Sequence, residues 1–270
     1  MKPPPFDYHR PESLEEALRL RAELGPDASV LAGGQSLVPM LNMRLARPAA
    51  LIDLNRVPGL AGIRVEGGAV RVGAMTRHRA LERSDEAHAA CPLLREALGL
   101  VAHAIVRNRG TIGGSIAHAD PAAELPSVLT VLGGHVVATS VRGQRTVAAS
   151  DLFEFHFTTS LEPDELVTEV VFPLPPSGAG TAFLEISRRH GDYALAGVAC
   201  VVANGSTRLC FTGVGPTPVL VESDDPEAAA AATQPADDIH GTARYRRALV
   251  RVLARRATAL ARERAGGGAA

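Results

Sequence analysis

Two glycine pairs, each followed by a serine, constrain this chain more than any other feature of its sequence. The first lies in residues 32–36, Ala-Gly-Gly-Gln-Ser, and the second in residues 111–115, Thr-Ile-Gly-Gly-Ser. Glycine permits a positive φ and carries no Cβ, so a ligand can approach the main chain at such a pair. Successive amides in a turn of this kind form a concave nest that binds phosphate oxygens. Two pairs in one chain therefore predict one ligand gripped from two sides, with a dinucleotide pyrophosphate as the candidate.

An ordinary tight turn is the alternative for either pair taken alone. Extended backbone is expected before each pair, at residues 29–31 and 107–109. In the first pair, Gln35 and Ser36 place an amide and a hydroxyl where a following helix presents free N–H groups, which favours anion binding. The sequence thus gives the first pair a ligand-binding interpretation without excluding the plain turn.

Charged residues flank the second pair on both sides. Arg107 and Arg109 stand directly before it and can neutralise phosphate charge. Asp120 and Glu124 follow it. The arginines can instead pair with these carboxylates in a solvated loop, or the carboxylates can accept hydrogen bonds from ribose or adenine groups. All three arrangements remain open at this point.

Composition excludes several functional classes. The chain has 270 residues and a formal net charge of −1, so no global charge directs it to nucleic acid or to a membrane surface. No apolar run is long enough to span a bilayer, and the N-terminus lacks the apolar core of a signal peptide. We therefore expect a cytoplasmic protein of two domains, with no nucleic-acid partner and no membrane span.

Metal and nucleophile motifs are missing from the sequence. The three cysteines, Cys91, Cys200 and Cys210, are scattered, whereas an iron–sulfur cluster needs about four clustered thiolates. The histidines lack metal-ligand spacing, and no P-loop, G-x-S-x-G or H-E-x-x-H motif is present. The sequence predicts no metal ligand and no catalytic acid, base or nucleophile.

Hydrophobic patterning predicts an α+β fold. Residues 13–54 form a short β-turn-α-β unit that is too small for a Rossmann half. Alternating residues from position 63 predict a hairpin with a glycine turn, and strands recur up to residue 172 among helical segments. A Pro- and Gly-rich linker at residues 173–180 precedes further strands and an Ala- and Arg-rich helix at residues 243–264. The C-terminal unit is small enough to need a neighbour.

Two C-terminal features allow more than one interpretation. Tyr193 lies in a polar stretch that composition favours as a hairpin connection, although a tyrosine there can also stand at the edge of a ligand cleft. The arginines of residues 244–264 are typical of a solvated helix face. A partner-subunit surface is the second interpretation for them, and nucleic acid is the third because no aromatic residues are interleaved.

The chain resembles the FAD-binding medium subunits of the bacterial molybdenum hydroxylases, a family of the carbon monoxide dehydrogenase medium chain and xanthine dehydrogenase FAD-subunit type. The resemblance runs essentially end to end. Its motifs are A-G-G-Q-S-L-V-P at residues 32–39, L-I-D-L at 51–54, R-N-R-G-T-I-G-G-S-I-A-H-A-D-P-A-A-E at 107–124, P-D-E-L-V-T-E-V at 163–170 and S-R-R-H-G-D-Y-A-L-A-G-V-A at 187–199. The double glycine pair with its flanks is specific to this family.

The resemblance implies a vanillyl-alcohol-oxidase (PCMH)-type FAD-binding domain in residues 1–175. Its two subdomains, about 1–56 and 57–175, would hold FAD between them, and a small C-terminal antiparallel α/β domain would follow in residues 176–270. Together with Asp120, which can accept ligand hydrogen bonds, the residues expected to contact FAD are Leu31, Ala32, Gly33, Gly34, Gln35, Ser36, Leu37, Thr111, Ile112, Gly113, Gly114, Ser115, Glu124, Val167 and Tyr193. Some relatives carry a lysine near the position of Glu185, and no cation stands there in this chain.

The function implied by the resemblance is electron transfer. Substrate would be hydroxylated at a molybdenum cofactor on a large subunit, and electrons would pass through [2Fe-2S] clusters on a small subunit to FAD on this chain. From FAD they would pass to NAD, a quinone or oxygen, and the assembly would be a dimer of heterotrimers. A stand-alone FAD oxidase of the same fold is the alternative, and a scaffold that has lost its flavin is a third.

Overall fold

The computed structural model describes residues 1–266, so the last four residues of the expected C-terminal domain lie outside the described part. The helices are α1 Leu14–Leu24, α2 Leu37–Asn42, α3 His78–Glu82, α4 Asp85–Ala90, α5 Pro92–Leu100, α6 Ala104–Arg109, α7 Ile112–His118, α8 Glu124–Val131, α9 Ala149–Leu152, α10 Pro226–Ala232 and α11 Ala243–Gly266. The strands are β1 Asp7–His9, β2 Ala28–Leu31, β3 Ala50–Asp53, β4 Ile63–Glu66, β5 Ala69–Gly73, β6 His135–Ser140, β7 Gly143–Ala148, β8 Phe153–Phe155, β9 Thr158–Thr159, β10 Leu166–Pro173, β11 Gly180–Ser187, β12 Ala194–Ala203, β13 Ser206–Thr212 and β14 Val219–Val221.

The N-terminal unit is a three-stranded parallel sheet in the order β1-β3-β2. Helix α1 connects β1 to β2. It begins at Ser13, whose side chain accepts the amide of Glu16, and ends at Gly25, where φ is 55°. A serine N-cap and a positive-φ glycine are efficient signals for the two ends of a helix. The sequence predicted β2 and β3 and missed β1, because the polar stretch that forms it has no apolar alternation.

The second unit is a five-stranded antiparallel sheet in the order β4-β5-β10-β6-β7. The predicted hairpin is confirmed at Gly67 and Gly68, which both have positive φ, as a type I′ turn requires. Helices α3 to α8 lie between β5 and β6 in the chain, and they bury the largest apolar core of the described residues with this sheet.

The C-terminal unit is a four-stranded antiparallel sheet in the order β11-β12-β13-β14, and it is covered on both faces. Side chains such as Phe183 and Cys210 join the core built around the helices of the second unit. Neighbouring positions such as Ala182 and Leu209 pack with α10 and α11. The neighbour that this small unit needs is therefore the rest of its own chain.

None of the helices in residues 1–266 combines the length and the apolarity that crossing a membrane requires.

Candidate functional site

The two glycine segments, residues 32–36 and 111–115, lie against one another. A Cβ on Gly33 would stand 2.4 Å from the carbonyl oxygen of Arg109 and 2.8 Å from the Cα of Gly110. A Cβ on Gly114 would stand 3.5 Å from the Cβ of Ala32. Only glycine at position 33 allows this approach, because atoms this close to a Cβ would overlap. The pairing of the segments that the sequence predicted is present in the structure.

The first glycine segment presents a row of free amides. Gly34 has a φ of 73°, and the side-chain amide of Gln35 donates to the carbonyl of Gly33. Within residues 1–266, the backbone N–H groups of residues 33–36 have no hydrogen-bond acceptor. Successive unpartnered amides around a positive-φ residue form an anion-binding concavity. This segment therefore has the donors that a pyrophosphate requires.

The second glycine segment differs from the expected nest. Thr111 caps helix α7, and the glycine pair lies in its first turn with no positive φ. All amides of residues 112–115 are used inside the protein: Ile112 donates to Thr76, Gly113 to Ala74, Gly114 to the Thr111 hydroxyl and Ser115 to the Thr111 carbonyl. The expectation of a second turn of free amides is wrong.

Close packing explains the glycines of the second segment. A Cβ on Gly113 would lie 2.4 Å from the Cβ and 2.8 Å from the Cα of Ala74. Ala74 also donates its N–H to the carbonyl of Thr168, one residue beyond Val167 on β10. Gly113 thus lets helix α7 pack against the central sheet, and this places Val167 near the second segment.

The residues before the second segment are helical, which corrects the expected extended stretch at 107–109. Arg107, on helix α6, is 7% exposed and donates to the carbonyls of Val101 and Ala102 and to Glu82. Burial tends to raise the pKa of Glu82, but hydrogen bonds from Arg79 and Arg107 hold it below its ordinary value. Arg107 therefore stabilises the fold, and neither phosphate nor Asp120 or Glu124 is its partner.

Asp120, Glu124 and Tyr193 come together beside the first glycine segment. Asp120 and Glu124 are buried, and burial, followed by the nearby Glu185, raises the pKa of Glu124 to about 8. Desolvation of the Tyr193 hydroxyl, followed by Asp120, raises its pKa to about 12, and the hydroxyl of Ser36 opposes this rise. Tyr193 itself stays 58% exposed. Tyr193 lies in the connection between the paired strands β11 and β12, so the hairpin connection that composition favoured is confirmed.

The loop that carries Asp120 is attached to the C-terminal sheet. The Thr212 hydroxyl lies 2.8 Å from the carbonyl oxygen of Pro121 and 2.7 Å from that of Ala123, and it can donate to either. The amide of Gly213 also donates to Pro121 at 2.7 Å. Sequence reasoning missed this role of Thr212, because the partners are remote in the chain and backbone carbonyls leave no motif.

Residues with no role in the sequence interpretation also hold the first segment. Asn55 donates its side-chain amide to the carbonyl of Ala32 at 2.9 Å, and Arg77 contacts both Asn55 and the carbonyl of Arg109. Ile112 and Val167, by contrast, are buried in the main core.

The structure offers no cluster of metal-binding side chains in its described residues. Within residues 1–266, no three His, Cys, Asp or Glu side chains come close enough to hold a metal ion. The three cysteines are buried thiols, and burial raises the pKa of Cys91 to about 11.

Comparison with known proteins identifies the family. Residues 4–175 match the family described as the FAD binding domain in molybdopterin dehydrogenase. The chain belongs to this family. It is 46% identical to the 6-hydroxypseudooxynicotine dehydrogenase complex subunit alpha of Paenarthrobacter nicotinovorans, over 98% of this chain and 97% of that protein. It is 40% identical to the carbon monoxide dehydrogenase medium chain of Hydrogenophaga pseudoflava, over 95% of this chain and 97% of that protein.

Solved structures agree with the family assignment. The chain superposes on a chain of reconstituted CO dehydrogenase from Oligotropha carboxidovorans with a TM-score of 0.93 and 39% identity, covering 98% of this chain and all of that one. The resemblance inferred from the motifs is confirmed, as are the fold class, the FAD cofactor and the assignment to an oxidoreductase subunit.

The described residues fit FAD. Free amides at residues 33–36 supply hydrogen-bond donors for a pyrophosphate, and Gly33 lets the two segments close around a ligand. Asp120 and Glu124 supply acceptors at the neighbouring end of the cleft, where Tyr193 adds an aromatic ring.

Replacing Gly114 with valine is expected to remove FAD from the purified chain. The new Cβ would lie 2.6 Å from the Thr111 hydroxyl, so the cap of helix α7 would have to shift. The measurement is the yellow flavin absorbance after purification in FAD. Thr111→Ser keeps the capping hydroxyl and should retain the colour. Full FAD retention in Gly114→Val would contradict a role for the second segment.

Proposed function

We propose that this chain is the FAD-binding electron-transfer subunit of a multi-subunit molybdenum-containing hydroxylase or dehydrogenase. The row of free amides at residues 33–36, held against the second glycine segment, is the observation that carries the assignment of the cofactor site. The relatives support the rest, since they are named as a complex subunit and as a medium chain. FAD supplies reversible electron storage that amino-acid side chains lack.

Each part of the cleft has a separate task in this proposal. The amides of residues 33–36 bind the pyrophosphate, and the second segment with Leu31 and Leu37 closes around it. Asp120 and Glu124 accept hydrogen bonds from ribose or adenine, because buried carboxyl groups need such partners. Val167 and Tyr193 contact the flavin ring. The domain limits at residues 56 and 175 are part of the same proposal.

The protein contributes binding and electrostatics to the reaction and no acid or base. Glu185, which lies at or next to the position where some relatives carry a lysine, is partly buried, and burial raises its pKa to about 7. One of its carboxylate oxygens is buried without a partner among the described residues. A carboxylate disfavours additional negative charge nearby, whereas a lysine favours it. We therefore expect Glu185 to disfavour the reduced flavin anion. The reduction of FAD should then be less favourable in this chain than in relatives with that lysine.

The proposed electron transfer requires two partner subunits. A large subunit with the molybdenum cofactor would bind the substrate, and a small subunit with [2Fe-2S] clusters would deliver electrons to this chain. An external acceptor would then receive them, and two heterotrimers would form the assembly. This arrangement explains how a chain with no catalytic side chain of its own can belong to a family of dehydrogenase subunits.

Co-purification from the native host tests this proposal. A tagged full chain should bring down two further subunits together with molybdenum, iron and FAD. The full chain reconstituted with FAD alone should be yellow and should turn over no substrate. A chain that oxidises a small substrate without partners would contradict the subunit assignment, and a chain that stays colourless in saturating FAD would contradict the cofactor site.

A further inference from the structure

A short chain of hydrogen bonds joins the two glycine segments on their outer side. The side-chain amide of Asn55 donates to the carbonyl of Ala32 at 2.9 Å. Arg77 donates through Nη2 to Oδ1 of Asn55 at 2.6 Å and through Nη1 to the carbonyl of Arg109. The two carbonyls precede Gly33 and Gly110, which are the residues at which the segments touch.

Hydrogen bonds to Asp53 fix the orientation of the Asn55 side chain. Asp53, at the end of strand β3, accepts both the backbone amide of Asn55 at 2.9 Å and its side-chain NH₂ group at 2.5 Å. Tyr8 donates to the other oxygen of Asp53. With its NH₂ group engaged by Asp53 and Ala32, Asn55 has only its oxygen left, and this oxygen accepts from Arg77.

Arg77 is placed by the backbone next to the second segment. Its neighbour His78 donates to the carbonyl of Gly110, and Ile112 donates to the carbonyl of Thr76, so residues 76–78 pair with residues 110–112. The guanidinium group then reaches from the second segment to the first. A planar fork of donors suits such a bridge between two acceptors.

We propose that Asn55 and Arg77 are positioning residues that together form a latch, which sets the spacing of the two glycine segments and the direction of the first segment's amides. The proposal rests on the proposed FAD site. In a trans peptide the carbonyl and the following N–H point in opposite directions. Holding the Ala32 carbonyl toward Asn55 therefore directs the Gly33 N–H away from the latch, into the row of free amides.

The latch adds little to the stability of the whole fold. Asn55 is exposed and Arg77 is half-buried, and their bonds lie outside the apolar core clusters. Hydrogen bonds at such positions change the free energy of unfolding only slightly. Their effect should instead be local, on the geometry of residues 32–36.

The test compares the full chain with Arg77→Met, Asn55→Ala and the double variant. Asn55→Ala removes the donor to Ala32 and the acceptor for Arg77 without setting a second carboxylate against Asp53. Each single variant should raise the Kd for FAD, measured by quenching of flavin fluorescence, about tenfold, which corresponds to about 1.4 kcal/mol. The Kd of the double variant should be no higher than that of the weaker-binding single variant, because both substitutions break the same bridge. Arg142→Met, which removes a similar surface pair with Asp164, should leave the Kd unchanged.

Hydrogen exchange of the FAD-free protein gives a readout that does not depend on the cofactor. The amides of Gly110, Ile112 and Gly113, which donate to Val106, Thr76 and Ala74, should exchange faster in both single variants, while β12 should keep its protection. Faster exchange across the whole chain would assign Arg77 a general structural role and contradict the latch.

The outcomes separate the two proposals. Wild-type Kd values in both single variants, or additive losses in the double variant, would overturn the latch while leaving the FAD site intact. A wild-type chain that fails to bind FAD would overturn the proposed function itself.

Discussion

Replacing Gly33 with alanine is expected to weaken FAD binding strongly while leaving the chain folded. The new methyl group would lie 2.4 Å from the Arg109 carbonyl and 2.8 Å from the Cα of Gly110. Both are backbone atoms, so the two glycine segments must separate. Overpacking of this kind costs about 1–3 kcal/mol, and because it acts at the ligand contact we expect an increase in Kd of about 100-fold. A titration with FAD measures the loss, and circular dichroism checks the fold.

Gly99→Ala is the matched control for this substitution. Gly99 lies in helix α5, and no atom lies within 4 Å of the position that its Cβ would take. Alanine there should stabilise the protein by roughly 0.5–1 kcal/mol, because it lowers the flexibility of the unfolded chain and suits a helix. FAD binding should be unchanged. Equal FAD affinity in Gly33→Ala and Gly99→Ala would contradict the contact between the segments as a requirement for binding.

The FAD-free chain is expected to lose stability as the pH rises from about 5 to about 8. Burial and the nearby Glu185 raise the pKa of Glu124 to about 8, and burial raises that of Glu185 to about 7, against an ordinary value of 4.5. The folded chain therefore binds more protons than the unfolded chain in this window. Since stability falls with pH wherever the native state holds the extra protons, the free energy of unfolding should decrease.

Glu124→Gln should remove most of this pH dependence. At pH 4 the variant should nearly match the wild type, because Glu124 is then mostly protonated in both the folded and the unfolded chain. At pH 8.5 it should be more stable by roughly 5 kcal/mol, because about 1.4 kcal/mol accrues for each pH unit between the ordinary value of 4.5 and the folded-state pKa of about 8. Urea unfolding at the two pH values measures the difference. Glu154→Gln, at an exposed position on β8, is the control, and parallel pH profiles for all three proteins would contradict an unusual carboxyl at position 124.

Local signals in the sequence predicted the parts of the fold that depend on neighbouring residues. Ser13 and Gly25 fixed the ends of helix α1, and the Gly67-Gly68 turn fixed the first antiparallel hairpin. The repeated glycine pair predicted two segments at one site, and the structure brings them into contact. The resemblance then supplied the fold and the cofactor, which no local pattern specifies.

The rest depends on contacts between remote residues. Arg107 resembled a phosphate ligand in the sequence. In the structure its side chain is buried and donates to Glu82 and to two main-chain carbonyls. The glycines of the second segment resembled a turn. In the structure Gly113 packs against Ala74 and donates its amide to the Ala74 carbonyl, and the amide of Gly114 donates to the capping hydroxyl of Thr111. Asn55 and Arg77 gave no signal, because they are remote from each other in the chain and the groups they hold in the two segments are main-chain carbonyls.

A crystal structure of the full chain with FAD tests the central claim most directly. The account predicts pyrophosphate oxygens at hydrogen-bond distance, about 2.7–3.2 Å, from the backbone nitrogens of residues 33–36. It also predicts Tyr193 beside the flavin ring and the Asn55–Arg77 latch intact. A pyrophosphate bound elsewhere on the chain, with these amides turned to solvent, would contradict it.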